Sequence, residues 1–264
     1  MTGEACELHE MEPTRRFSDR VGDYVKYRPT YPHAAAEAVL AGLGPPEGRT
    51  VADVGAGTGI FARVLASTGA RVIGIEPNAK MRAAAESDAG GAGLRIEWRG
   101  GTAERTGLED GSVDVVACAQ AFHWFRADEA LAEFARVLRP RGRAALVWND
   151  RDVRDALSAG YSRLIDEASG GHAAANDHTR PGALFASKLF EGTRELTFGH
   201  AQSLDLEGLI GRATSASYIP KHGPKLDALK VGLTSLFDRY EQGGRVELVY
   251  VTRVFVAEKC NRVM

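Results

Sequence analysis

The sequence is short of the features that mark several large classes of protein. It holds only three cysteines in 264 residues, Cys6, Cys118 and Cys260. Their odd number and wide spacing exclude a disulfide framework and match a reducing cytoplasm. No run approaches the roughly 18 to 20 apolar residues that cross a bilayer, and Met1 to Arg16 lacks the apolar stretch of a secretory signal. Charge of one sign is also missing: 33 basic and 35 acidic residues leave a formal net charge of −2. With no continuous basic track for phosphates and no Asn-Pro-Pro-Tyr type base-binding motif, neither nucleic acid nor a membrane is the expected partner. The seven histidines show no close ligand spacing with Cys or Asp, so no metal site is expected.

What is present is enough for a full core, since 44% of residues are hydrophobic. Residues 1–16 read as a mobile lead. Helical spacing of Phe17, Val21, Tyr24 and Val25 predicts a helix that Pro29 and Pro32 terminate, and a second helix follows over His33 to Leu43. From Thr50 short apolar runs alternate with helical patterns, which is the signature of a parallel sheet. Strands are predicted at 50–54, 71–75, 94–98, 113–118 and 143–148, with helices near 58–68, 78–87 and 127–138. Leu138 to Gly142 reads as a breaker before the fifth strand. Beyond residue 150 the pattern predicts a helix over 153–168, a loop over 170–180, a strand at 194–198, helices over 206–214 and 226–240, and a last strand over 245–257. The expected fold is α/β, a doubly wound Rossmann-like, mostly parallel seven-stranded sheet. Residues 17–46 are expected to form lid helices, 47–150 a ligand-binding core, and 151–264 the last strands plus a helical cap. Cys118, in the apolar run 113–121, reads as a buried small hydrophobe.

The chemistry centres on Asp53-Val54-Gly55-Ala56-Gly57-Thr58-Gly59. Glycines between a strand and a helix allow a tight turn and close approach of a ligand to the helix N-terminus. Their Gly-x-Gly-x-Gly spacing departs from the dinucleotide pattern, and Asp53 would repel a diphosphate, so the turn suits a cationic ligand. At the end of the second strand, Glu76-Pro77-Asn78 places a carboxylate where it accepts both hydroxyls of a ribose, at ~1.5–3 kcal/mol for each charge-assisted bond. The fourth strand runs into Ala119-Gln120-Ala121-Phe122-His123-Trp124, at the sheet edge where α/β folds bind ligands. There His123 beside Trp124 is either a structural pair or part of a site.

Residues 50–149 resemble the class I S-adenosylmethionine-dependent methyltransferases, whose first motif is an acid followed by Gly-x-Gly-x-Gly. The resemblance implies that S-adenosylmethionine is the cofactor, with Gly55 and Gly57 approaching its methionine part, Glu76 holding the ribose, and Asp53, Ala56, Gly59 and Pro77 also among the residues that bind it. It further implies that Thr102, Ala103 and Glu104 lie near the adenine, and that Ala119 or Gln120 meets the methionine end. Met81 either packs on the adenine or belongs to the core.

The phrase Phe17 to Pro32, together with Ala121 to Phe125, is similar to a branch containing trans-aconitate methyltransferase-like and secondary-metabolite enzymes. That implies a small-molecule acceptor and a lid that brings Tyr24, Tyr27 and Arg28 to it. Trp124, Asn149, His178, Arg212 and Tyr218 complete the candidate acceptor site, with Arg212 a carboxylate ligand or a surface charge. A hydroxyl or protonated amine acceptor needs a base, for which His123 is the first choice and Tyr24 an orienting donor or alternate; a carbon or carboxylate acceptor needs none. The competing readings are a non-catalytic S-adenosylmethionine-binding module and a dinucleotide-dependent oxidoreductase.

Overall fold

The computed structural model describes residues 26–91, 93–94, 96–170, 181–216 and 218–260. The predicted helix over Phe17 to Tyr27 therefore falls mostly outside them, as do Tyr24, His178 and the predicted loop beyond residue 170. Chain order is α1 (His33–Leu40), β1 (Thr50–Val54), α2 (Ile60–Ser67), β2 (Arg71–Ile75), α3 (Ala79–Gly91), β3 (Ile96–Arg99) and β4 (Val113–Ala119). Then come α4 (Ala127–Val137), β5 (Leu138–Arg151), α5 (Ala156–Ser169), α6 (Gly182–Ala186), β6 (Phe190–Leu204), α7 (Leu206–Thr214), α8 (Pro224–Tyr240) and β7 (Val246–Lys259).

The seven strands form one sheet in the order β3-β2-β1-β4-β5-β7-β6. The first five run parallel, and β7 is antiparallel to both β5 and β6. Strand order reverses between β1 and β4, which start on opposite sides of the switch, and their carboxyl ends open the crevice where α/β sheets take ligands.

Alternation along the strands builds a core on each face. Ala52, Val54, Val116, Cys118, Leu146 and Trp148 point to one side and pack against Leu131 and Phe134 of α4. Val51, Val72, Val115, Ala117 and Val147 point to the other, against α1 and against Phe61 and Leu65 of α2. Cys118 is fully buried, as expected. A third cluster joins α5, α7 and α8 to the far ends of β6 and β7, through Leu157, Tyr161, Leu209, Leu233, Leu248 and Tyr250.

Two strands are longer than their patterns predicted. Leu138 pairs with Val113 before the register shifts, so β5 begins at Leu138 rather than 143. Pro140 and Arg141, the latter at φ +64°, are absorbed as an irregularity instead of ending the strand. The strand read at 194–198 spans Phe190–Leu204. As the sheet edge it is buried only at its two ends, Phe190 and Leu204, and exposes more than half of the residues between, which blurs the hydrophobic signal. Among the described residues no helix is long and apolar enough to cross a membrane, and no group of three His, Cys, Asp or Glu side chains is placed to hold a metal.

Candidate cofactor and acceptor site

At the carboxyl ends of β1, β2 and β4 lies a cavity of about 450 Å³. Asp53, Gly55, Ala56, Gly57, Glu76, Pro77, Met81, Thr102, Ala103, Glu104, Ala119, Gln120 and Trp124 all line it, so the structure brings together nearly every predicted cofactor residue and one predicted acceptor residue.

The glycine turn is shaped by left-handed backbone at Gly55, Gly57 and Gly59, with φ of 71°, 58° and 77°. A side chain at Gly55 would strike the Ala121 Cβ at 2.7 Å. Gly59 does different work from the one expected. It is the residue before α2, it is not in the cavity wall, and a Cβ there would lie 2.5 Å from the Trp98 ring. Its small size serves packing against β3.

Glu76, 8% exposed, accepts the Gly57 N–H through Oε2 and the Asn78 N–H through Oε1, both at 2.8 Å. Burial raises its pKa, and those two N–H groups and Arg82 oppose the rise. A carboxylate has lone pairs for further donors, so these bonds hold it in place without exhausting it. Asn78 in turn caps α3, its Oδ1 accepting from the N–H groups of Lys80 and Met81.

Asp53 is 1% exposed, and neither carboxylate oxygen has a partner in hydrogen-bonding geometry among the described residues. Burial pushes its pKa up to about 7; the Ala62 backbone N–H counters this, and the charge of Glu76 adds to it. A buried acid so poorly supplied with donors, facing a cavity, is costly unless a cation fills the space. The cavity residues thus fit a ligand that brings positive charge beside Asp53 and hydroxyls beside Glu76.

A family model described as a methyltransferase domain matches residues 52–146. An uncharacterized methyltransferase of Schizosaccharomyces pombe is 30% identical over 250 residues, which cover 93% of this chain and 97% of that one. The chain belongs to the methyltransferases. An uncharacterized methyltransferase of Mycobacterium tuberculosis is 40% identical over 169 residues, 62% of each chain. Among solved structures, the YcgJ protein of Bacillus subtilis aligns at a TM-score of 0.56 and 21% identity, over 88% of this chain and all of that one. A geranyl diphosphate methyltransferase in complex with S-adenosylmethionine aligns at 0.50 and 19%, over 86% and 85%. These two share the fold. The cofactor of this methyltransferase is S-adenosylmethionine, and the enzyme is of the class I type.

Of the other predicted site residues of the methyltransferase, those that the structure describes stand outside the cavity wall. His123 stands on the single turn Phe122–Trp124 with its ring 5.0 Å from that of Trp124, but Trp124 is the one that lines the cavity. Asn149 is reached indirectly, its carbonyl accepting from Gln120 Nε2 at 3.1 Å. Tyr27 donates to Glu207 at 2.9 Å and covers Gly211. Arg28 borders a separate depression with Thr30 and Arg63. Tyr218 packs on the third hydrophobic cluster, and Arg212 is 6% exposed beside the cluster's Tyr250, so Arg212 is not a surface charge.

Sequence reasoning missed Tyr31, Thr58, Ile60, Phe61, Asn78, Ala121, Phe125 and Arg126, which complete the wall. The position of Tyr31 just before the first predicted core helix suggests helix packing, and it does pack edge-on against Phe61 at 4.9 Å, but it also faces the cavity.

Proposed function

We propose that this methyltransferase acts on a small molecule of the secondary-metabolite kind, by direct in-line transfer. What carries the reading is one cavity that combines two buried acids with an aromatic wall of Tyr31, Phe61, Trp124 and Phe125. The acids and the glycine turn account for the cofactor, and the aromatic wall is left for an acceptor. When bound, the cofactor supplies an electrophilic methyl group on a sulfonium. In this proposal Asp53 faces the cationic part, Glu76 and the Gly57 backbone hold the ribose side, and Met81 and Ala103 flank the adenine.

The aromatic groups exclude water and fix the acceptor. Holding two reactants in line supplies ~7–11 kcal/mol of the barrier, so no covalent protein intermediate is required. His123, next to Trp124, serves as proton acceptor only where the acceptor is a hydroxyl or protonated amine, with Tyr24 as orienting donor. The helices after residue 150 act as a cap on the acceptor side.

The test is to incubate the purified chain with S-adenosylmethionine and fractionated small-molecule extracts, and to follow S-adenosylhomocysteine by mass spectrometry. Acceptor-dependent product that disappears with Trp124→Ala is expected. Tight cofactor binding with no product from any fraction would instead support a binding module that works through protein contacts.

A further inference from the structure

Arg212, on α7, is buried against Tyr250 of the cluster that joins α5, α7 and α8 to β6 and β7. Its Nε donates to the Tyr250 hydroxyl at 3.3 Å, and among the described residues no carboxylate pairs with it. The groups within its electrostatic reach are the hydroxyls of Tyr250, Tyr161 and Tyr218. An isolated buried charge costs several kcal/mol, and guanidinium groups in such places are normally matched by an acid. Among the described residues, one long bond to a neutral hydroxyl leaves the two-pronged face of the guanidinium without an anion.

The surroundings repeat the pattern. The Tyr161 hydroxyl is buried with no hydrogen-bond partner among the described residues, although Arg151 covers the ring at 5.5 Å. The His200 ring stacks on Tyr250 at 5.2 Å and lies within reach of the Thr30 backbone. This cluster is joined to the cofactor cavity by a chain of polar contacts. Gln120, in the cavity wall, donates to the Asn149 carbonyl. Asn149 Oδ1 accepts from Thr252 at 2.6 Å, and the Thr252 hydroxyl lies 3.4 Å from His200 Nδ1.

We propose that Arg212, with the hydroxyls of Tyr161 and Tyr250, forms an anion-binding site that anchors a compact oxyanion, carboxylate or phosphate, carried by the acceptor away from the atom that is methylated. That the oxyanion belongs to the acceptor rests on the proposed methyl transfer; that the site binds one does not. A planar guanidinium flanked by hydroxyl donors, with no acid beside it among the described residues, matches such a group in charge and in fork geometry.

The experiment uses the full chain at fixed ionic strength, with benzoate, its neutral analogue benzamide, and inorganic phosphate as probes. Melting temperature and calorimetry are the readouts, and S-adenosylhomocysteine binding is measured in parallel. Saturable stabilisation by benzoate or by phosphate, but not by benzamide, is expected, and which anion acts distinguishes the two sources. Arg212→Met should weaken that binding at least tenfold, and Tyr161→Phe several-fold, with S-adenosylhomocysteine affinity unchanged in both. Equal responses to benzoate, phosphate and benzamide, or an anion response that survives Arg212→Met, overturn the proposal. So does an Arg212→Met chain that melts far below the wild type without any anion, because the protein itself would then already compensate the guanidinium. Loss of S-adenosylhomocysteine binding alongside an intact anion response would remove the cofactor reading and leave the anion site standing.

Discussion

The Glu76 carboxylate accepts the backbone N–H of Gly57 at 2.8 Å, so the end of β2 and the glycine turn of β1 form one unit. An acid expected only to meet the ligand also sets the shape of the turn that meets it. Replacing it tests both jobs together. Glu76→Gln keeps one acceptor oxygen but loses the charge and the second acceptor. Cofactor affinity, measured by calorimetry, should fall about 10- to 100-fold, the equivalent of one or two charge-assisted bonds. An affinity within threefold of wild type would show that Glu76 is only a brace for the turn.

With Asp53 facing the cationic part of the cofactor, as proposed, cofactor affinity should depend on pH. Its pKa stands at about 7 in the ligand-free chain, and a cation in the cavity favours the ionised form, lowering it. Binding therefore releases a proton below pH 7. Affinity should be greatest and flat above about pH 8, fall as pH drops through 7, and level off once the pKa of the bound state is passed.

Asp53→Asn should abolish that dependence and bind weakly throughout. The same shift has a consequence for stability. A carboxyl whose folded pKa lies above its unfolded value favours the fold most below the unfolded value, near 3.9, and that contribution is lost as pH rises through 7. The ligand-free Asp53→Asn chain should thus melt above wild type at pH 8, with the gap closing toward pH 4.

Most of the sheet was legible because its order follows alternation and breakers. β1 and β2 match their predicted bounds residue for residue, since buried parallel strands are continuous apolar runs framed by turns. The edge strand β6 was recognised only in its middle, and Pro140 misled because a breaker can be absorbed by an irregular register. Much of the cavity wall was legible for a similar reason: the glycine motif, Glu76, and the strand-end residues 119 and 120 are local in sequence. The aromatic wall was not. Tyr31, Phe61 and Phe125 come from three separate segments, and only the folded chain shows that they face one space.

The three glycines of the turn carry different loads, which single substitutions should separate. All three have positive φ, so an alanine at any of them costs ~1–2 kcal/mol of backbone strain. At Gly59 the new Cβ would also meet Trp98 at 2.5 Å and Ala85 at 3.2 Å, whereas at Gly57 the nearest neighbour is Met81 Cε at 3.6 Å. Gly59→Ala should therefore lower the melting temperature more than Gly57→Ala does, while Gly57→Ala, whose methyl enters the cavity side of the turn, should weaken cofactor binding more. Paired thermal melts and calorimetry decide it, and a reversed ranking on both readouts would place Gly59, not Gly57, at the cofactor.

Trp124 and His123 are neighbours on one turn, yet Trp124 alone of the two lines the cavity. Removing the indole opens the aromatic wall and loosens the acceptor, so Trp124→Ala should reduce kcat/KM at least tenfold, mostly through KM, with cofactor affinity little changed. For His123 the outcome depends on the acceptor atom. His123→Gln preserves size and hydrogen-bonding capacity but cannot take a proton at neutral pH. Against a carboxylate or carbon acceptor it should leave kcat within about threefold and the pH profile unaltered. Against a hydroxyl or amine acceptor it should lower kcat about 10²- to 10⁴-fold, the span of general-base assistance, and erase the limb of the profile near the histidine range. A hydroxyl acceptor turned over at full rate by His123→Gln would take His123 out of the reaction and leave proton removal to another group or to water.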